Sequence, residues 1–318
     1  MLNRKDLIRY TLESLREQYH SGVRLQVVVV DDGSTDGGAE LVESEFDWVT
    51  LLRQARQGAP AARNLGIAVA AGRTTLLLDS DDLVEPGYFA PRLATLAEFP
   101  DAAGAYGPWE VFESDDEFTP AGIRPRHARY PIDRRVESES HLRRLLRGWF
   151  ISGPAVLWRT DILRVVNGHD ERLHINQDVD MMFRILTSTA GIVGTDGPCA
   201  LTRNHEGSRQ GLVTSADRVA QILELRKRFR RDLEHAGRFD TSMRRALAEY
   251  AFDGWAAWRS IAPESAKELL SLSRELWPDL GIRGGWLIRA LGAIVGPANA
   301  TMLKQRIQQQ RTQMPEHN

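Results

Sequence analysis

The stretch Thr74-Thr-Leu-Leu-Leu-Asp-Ser-Asp-Asp82 constrains this chain most. Its first five residues are apolar or β-branched, the length of a buried strand. The run then stops at three carboxylates, Asp79, Asp81 and Asp82. Like charge gathered at the end of a core strand is unfavourable unless a cation or hydrogen bonds compensate it. In an open α/β sheet, strand ends are also where ligands bind. Oxygen-only donors suit Mg²⁺ or Mn²⁺, and those cations suit a diphosphate. The plainer alternative is a solvated acidic turn that caps a helix near Pro86, and this stretch alone leaves both readings open.

The flanking segments supply the sheet. Leu25-Gln-Val-Val-Val-Val30 has almost no polar alternation, as expected of a strand covered on both faces in a parallel sheet. It ends in Asp31-Asp-Gly-Ser-Thr-Asp-Gly37, which supplies a tight turn and a helix cap. Before it, Asn3 is placed to cap a helix running to about Gln18. After it come a helix to about Glu45 and a short strand at 48–52. A helix then opens in Arg56-Gln-Gly-Ala-Pro-Ala-Ala-Arg-Asn-Leu-Gly66, where Pro60 is tolerated in the first turn. Strand and helix alternate in the manner of a doubly wound, mostly parallel, Rossmann-like sheet.

Further strands are expected at 102–112 and 151–159. Residues 113–136 are polar and hold three prolines, which suits a long mobile loop of the kind that often closes over a site. A short helix at 161–167 stops at Gly168. Asp178 starts a clear helix, on which Asp180 and Arg184 are spaced to pair on the surface. From about residue 213 the character changes to successive helices, near 222–233, 242–261, 263–276 and 286–295. Beyond 308 the chain reads as disordered.

Composition narrows the functions. Of 318 residues, 42% are hydrophobic and 26% charged, which is ordinary for a globular protein. A net charge of −2 gives no global field for nucleic acid. The single cysteine, Cys199, excludes a disulfide framework and any CxxC metal site. No signal peptide is legible, and no apolar run reaches the roughly 20 residues of a membrane span. The expectation is a cytoplasmic protein. The basic-flanked stripe Ile222, Leu225, Phe229 and Leu233, with a second apolar patch at 286–295, allows a peripheral location at the inner face of the membrane. The competing expectation is that both stripes pack within the protein.

Three signals converge on a nucleotide: Asp31 and Asp32 end one strand, Arg63 lies on a helix near a neighbouring one, and Asp79 to Asp82 end a third. Separately, each has a plain alternative as a cap or a surface residue. At this point the chain resembles the family-2 inverting glycosyltransferases of the GT-A fold. The resemblance is carried by Val27-Val-Val-Val-Asp-Asp-Gly-Ser-Thr-Asp36, Ala61-Ala-Arg-Asn-Leu-Gly66 and Leu76-Leu-Leu-Asp-Ser-Asp-Asp82. It continues through Gly168-His-Asp-Glu-Arg-Leu173, Gln177-Asp-Val-Asp180 with Arg184, and Arg203-Asn-His-Glu-Gly-Ser208.

The resemblance implies a GT-A domain over 1–212 and a helical C-terminal extension over 213–318. It implies a nucleoside-diphosphate sugar as donor, with UDP the expected nucleotide, and a glycan or lipid-linked acceptor hydroxyl. Asp31 would contact the uracil with Asp32 near it, and Arg63 would belong to the nucleotide pocket. Asp79 and Asp81 match the DxD motif, the first touching ribose and the second holding Mn²⁺ or Mg²⁺, a role that Asp82 would share. Asp178 matches the general base, and His205 a histidine that closes over the diphosphate. Three departures stand out. Met1-Leu2-Asn3-Arg4 matches the tail of the family's base-lining turn, so the family's first strand is expected to be missing. Gln177 replaces a glutamate, which bears on acceptor choice. His169 replaces a common aromatic, read as a packing change.

The rivals are an inactive or binding-only homologue and an aspartate-nucleophile phosphotransferase using Asp79 and Asp81. A Rossmann dehydrogenase is disfavoured because no GxGxxG follows the strand at 27–30.

Overall fold

The computed structural model of the chain describes residues 1–113, 138–204, 215–278 and 280. It forms two compact units, Met1–Leu145 with Phe150–Leu212, and Leu146–Trp149 with Val213–Asn318. In chain order the first elements are α1 (Lys5–Arg16), β1 (Val27–Asp31), α2 (Gly38–Glu45), β2 (Val49–Arg53), α3 (Ala59–Val69) and β3 (Thr74–Leu76). Then follow β4 (Leu83–Val84), α4 (Phe89–Glu98), β5 (Gly104–Tyr106), β6 (Trp109–Glu113), α5 (Ser138–Leu146), β7 (Val156–Arg159) and α6 (Thr160–Val165). Next come α7 (Gln177–Ser188), β8 (Ile192–Gly194) and β9 (Ala200–Asn204). Three helices end the described chain: α8 (Ala216–His235), α9 (Thr241–Trp258) and α10 (Pro263–Leu276).

The parallel character expected from the apolar strands is carried by β1–β2, β5–β8 and β6–β9. Strand β7 runs antiparallel between β3 and β5, and β4 antiparallel to β9. The single strand expected at 102–112 is two, because Gly107 and Pro108 interrupt it and proline has no N–H for a ladder. The break lets the chain change partners, with β5 between β7 and β8 and β6 beside β9. The core lies across these strands: Ala105, Leu157, Trp158, Ile192 and Val193 are buried. Gly104 has to be small, since a Cβ there would lie 2.8 Å from the Trp158 ring.

Two local readings are corrected. Asn3 is not the cap of α1, which begins after Arg4 without a side-chain cap. Instead, Asn3 accepts from the Thr35 N–H at 2.9 Å and donates its own N–H to Ser34 Oγ at 3.0 Å, bracing the turn after β1. Asp36 accepts from Lys5 N–H at 2.8 Å and from Gly38 N–H at 2.9 Å, so one carboxylate serves the starts of two helices. The Asp180–Arg184 pair forms at 2.7 Å, but Asp180 is fully buried rather than superficial. Arg184 also donates to the carbonyls of Val166 and Gly168, tying α7 to the loop before it.

In the helical unit, Ile222, Leu225, Phe229 and Leu233 are all buried. The basic flank is matched by acids: Lys227 reaches Glu268 at 2.7 Å and Arg230 reaches Glu275 at 2.8 Å, both across to α10. Arg226 stacks 4.1 Å from the Tyr250 ring of α9. This stripe is therefore a packing face and is not open to a lipid surface. Residues 286–295, the tail beyond 308 and the loop at 114–136 lie outside the described residues. Among the described residues no helix is long and apolar enough to cross a membrane.

Candidate functional site

The turn after β1 is built by its own carboxylates. Asp32 is buried and accepts from the N–H groups of Gln57 and Gly58, at 2.7 and 2.8 Å, and from Gln54 Nε2 at 2.7 Å. Burial alone would raise its pKa, but these donors hold it below the ordinary value. Its role is to fix the loop that launches α3, with Gly58 at φ 99°. Asp31 accepts from Ser34 N–H at 3.3–3.4 Å. On the edge of β1 away from β2, Met1 pairs in parallel with Asp31: its amine donates to Val30 O at 2.6 Å and its carbonyl accepts from Asp32 N–H at 2.8 Å.

Helix α3 carries two consecutive residues that gather the rest. Arg63 Nη2 lies 2.5 Å from Asp79 Oδ1, and Nη1 donates to Gln177 Oε1 at 3.2 Å. The neighbouring charge of Asp79 outweighs burial and holds the guanidinium firmly protonated. Asn64 reaches the other way: its amide donates to His169 O and Glu171 Oε1, both at 2.9 Å, and accepts from His169 N–H at 2.8 Å. One helix thus holds the acidic turn, the start of α7 and the loop before it.

The three acidic residues do not share one environment. Asp79 is half-exposed, and Asp81 lies 3.5 Å from Arg4 Nε. Asp82 is buried, and one of its oxygens accepts from the Arg203 N–H of β9 at 2.8 Å. Burial first, then the charges of Asp79 and Asp81, push its pKa well above the ordinary value. The acidic turn is further tied by the Asp81 carbonyl, which accepts from Arg203 Nε at 2.8 Å.

Asp178 lies in the first turn of α7, where the helix dipole favours an anion. Its Oδ1 is 2.9 Å from His169 Nε2, and the side chain keeps 46% of its surface. Desolvation opposes ionisation, but Arg63 and then His169 hold the carboxyl down at about 2. Gly153 borders it: a Cβ there would stand 4.0 Å from Asp178 Oδ1. The sequence reading of His169 as a packing change is corrected, since its ring bonds directly to Asp178. A histidine nine residues before a helix-start aspartate was the available signal, but only the Gly168 turn brings the two together. His205 lies outside the described residues.

Among the described residues no group of three His, Cys, Asp or Glu side chains forms a ready metal cage. Asp79 and Asp81, on one turn, nonetheless match what a Mg²⁺-like cation takes, namely one or two carboxylates with substrate phosphates completing the shell. Arg63 and Arg4 balance these carboxylates here.

Residues 1–163, half of the chain, match the family model described as Glycosyl transferase family 2, and the chain belongs to that family. Its fold is of the GT-A type. Among curated relatives, the succinoglycan biosynthesis protein ExoO of Rhizobium meliloti is 44% identical over 105 residues, 32% of this chain and 28% of that protein. The uncharacterised glycosyltransferase YibD of Escherichia coli is 37% identical over 100 residues, 30% of this chain and 28% of YibD. The chain thus spans under a third of the length of these relatives. Among solved structures, S. aureus TarS 1–349 in complex with UDP-GlcNAc superposes with a TM-score of 0.62 at 20% identity, covering 93% of this chain and 78% of that one. The mannosyltransferase PcManGT of Pyrobaculum calidifontis, in complex with GDP-Man and Mn²⁺, gives 0.53 at 19% identity, covering 96% and 84%. Family membership sets aside the phosphotransferase and dehydrogenase alternatives.

Proposed function

We propose that this enzyme transfers a sugar, with inversion, from a nucleoside-diphosphate sugar to an acceptor hydroxyl, with Asp178 as the base. UDP is the expected nucleotide, in keeping with the UDP-GlcNAc carried by one structural neighbour. The acceptor class, a glycan or lipid-linked glycan, follows the succinoglycan biosynthesis of one relative. The observation that carries the reading is the bridge made by Arg63, which brings Asp79 and the start of α7 into one cluster with an ionised Asp178.

Asp31 and Asp32 shape the turn assigned to the nucleotide base, and Arg63 and Asp79 the part nearest the ribose and diphosphate. Asp81, with Asp79, would hold the Mn²⁺ or Mg²⁺, which when bound offsets the charge of the leaving diphosphate. Asp82, already bonded to the Arg203 N–H, is assigned to the support of that turn rather than to the metal. The acceptor oxygen attacks the anomeric carbon as the bond to the diphosphate breaks, the diphosphate leaving with the bonding electrons. The hydroxyl proton passes to Asp178. The Arg63 guanidinium and the His169 ring keep that carboxyl ionised and so able to accept the proton.

The test is a panel of UDP- and GDP-sugars with Mn²⁺, reading released nucleoside diphosphate, for wild type and Asp178→Asn. Loss of kcat by roughly 10²- to 10⁴-fold with donor binding kept supports the base. Donor binding without release for any sugar would favour a binding-only homologue.

A further inference from the structure

The His169 ring has none of its side-chain surface exposed, and its Nε2 meets Asp178 Oδ1 at 2.9 Å. Asp178 is ionised, so its oxygens only accept, and the proton of this bond sits on Nε2. On the far side of the ring, Nδ1 is buried without a partner among the described residues. The ring is thus oriented by one polar contact, the one to Asp178.

Its backbone is equally constrained. Asn64 bonds both the N–H and the carbonyl of His169, and Arg184, paired with Asp180, holds the Gly168 carbonyl at 2.7 Å. The charged groups tied to this segment are Asp178 on the ring, Arg63 acting on Asp178, and Arg184, which holds the Gly168 carbonyl and pairs with Asp180. Its chain neighbours are Asp170, bonded to Arg172, and Glu171, bonded to Asn64. The terminal torsion of an aspartate is soft, and a carboxylate in a half-open site would otherwise rotate freely.

We propose that His169 is a positioning residue for Asp178: its Nε2–H fixes Oδ1, sets the rotation of the carboxylate, and leaves Oδ2 to take the acceptor's proton. This rests on Asp178 being the base. The ring donates no proton to substrate and touches no reacting atom.

His169→Phe keeps a ring of similar volume and removes the donor. His169→Gln places an amide N–H near the position of Nε2. With the UDP- and GDP-sugar panel and Mn²⁺, His169→Phe should lower kcat about 10- to 10²-fold, the scale for a misplaced catalytic group, with donor KM unchanged. His169→Gln should recover most of that loss. The acid limb of kcat should move to higher pH in His169→Phe, because the bond that helps hold Asp178 ionised is gone; a packing defect would leave it in place. A reading without turnover comes from ¹⁵N ring correlation spectra: wild type should show the proton on Nε2, and Asp178→Asn should shift those signals. Wild-type kcat in His169→Phe alongside a dead Asp178→Asn overturns the positioning role alone, as does a ring protonated on Nδ1 only. Wild-type kcat in Asp178→Asn overturns the base itself, and this inference with it.

Discussion

Arg63 Nη2 and Asp79 Oδ1 stand 2.5 Å apart, and this pair links helix α3 to the acidic turn after β3. The same guanidinium is the leading influence that lowers Asp178, against the burial that would raise it. One arginine therefore acts on both the acidic turn and the start of α7. Asp178 and the acidic turn, far apart in sequence, become one electrostatic unit through it.

Arg63→Met keeps the length of the side chain without its charge. The Asp178 carboxyl should then rise from about 2 toward the ordinary range. Because the folded value is depressed, the stability from its ionisation is full above about pH 4 and lost as pH falls toward the folded value. That acid loss should shrink in Arg63→Met, and the acid limb of kcat should move to higher pH. The check is a pair of profiles, melting temperature and kcat against pH. Unmoved limbs would mean that Arg63 does not control Asp178.

Chelation should abolish nucleoside-diphosphate release, and Mn²⁺ or Mg²⁺ should restore it. Asp81→Ala should stay inactive at metal concentrations that saturate the wild type. A titration of Mn²⁺ against both proteins, with donor present, reads this directly. Full activity of Asp81→Ala in the presence of chelator would end the metal assignment.

Asp82→Asn separates support from ligation. The amide oxygen can still accept from the Arg203 N–H, and the group whose ionisation burial, Asp79 and Asp81 oppose disappears. A carboxyl whose folded pKa is raised costs stability as pH climbs above its unfolded value. The variant should therefore melt higher than wild type at pH 7, with the gain vanishing toward pH 4. Metal dependence should be retained. A collapse of Mn²⁺ affinity in Asp82→Asn would instead return Asp82 to the metal.

What was legible in sequence follows from the range of the interactions. The unbroken apolar runs of β1 and β3 and the helical period of α7 and α8 can be read locally. Strand β8 has three residues, too few to show a pattern, and helix α5 escaped the reading. The acidic motifs marked the site because charge at a strand end is unusual in itself. The distinction between Asp82 and its neighbours was hidden, since it depends on the Arg203 N–H 121 residues away. The contact of His169 with Asp178 was hidden for a similar reason, because the turn at Gly168 and the grip of Asn64 create it. Parallel folds place such partners by crossover connections, not by spacing.

Gly168 and Asn64 should behave as one unit. Gly168 adopts φ 58°, and a Cβ there would collide with Asn64 Oδ1. Gly168→Ala should therefore combine a backbone penalty of about 1–2 kcal/mol with loss of the Asn64 bonds, each worth about 1 kcal/mol. At roughly 2–4 °C per kcal/mol, the fall in melting temperature is readily measured. Asn64→Ala loses the same bonds but keeps the glycine, and it also removes the atom that the new Cβ would strike. The double variant should then fall short of the sum of the two single losses, because the shared bonds are lost once and the clash is gone. Both single variants should lower kcat more than they raise donor KM, since the loop they disturb carries His169 and not the nucleotide. Strictly additive melting shifts would show that the glycine serves its backbone angle alone and that Asn64 holds the loop independently.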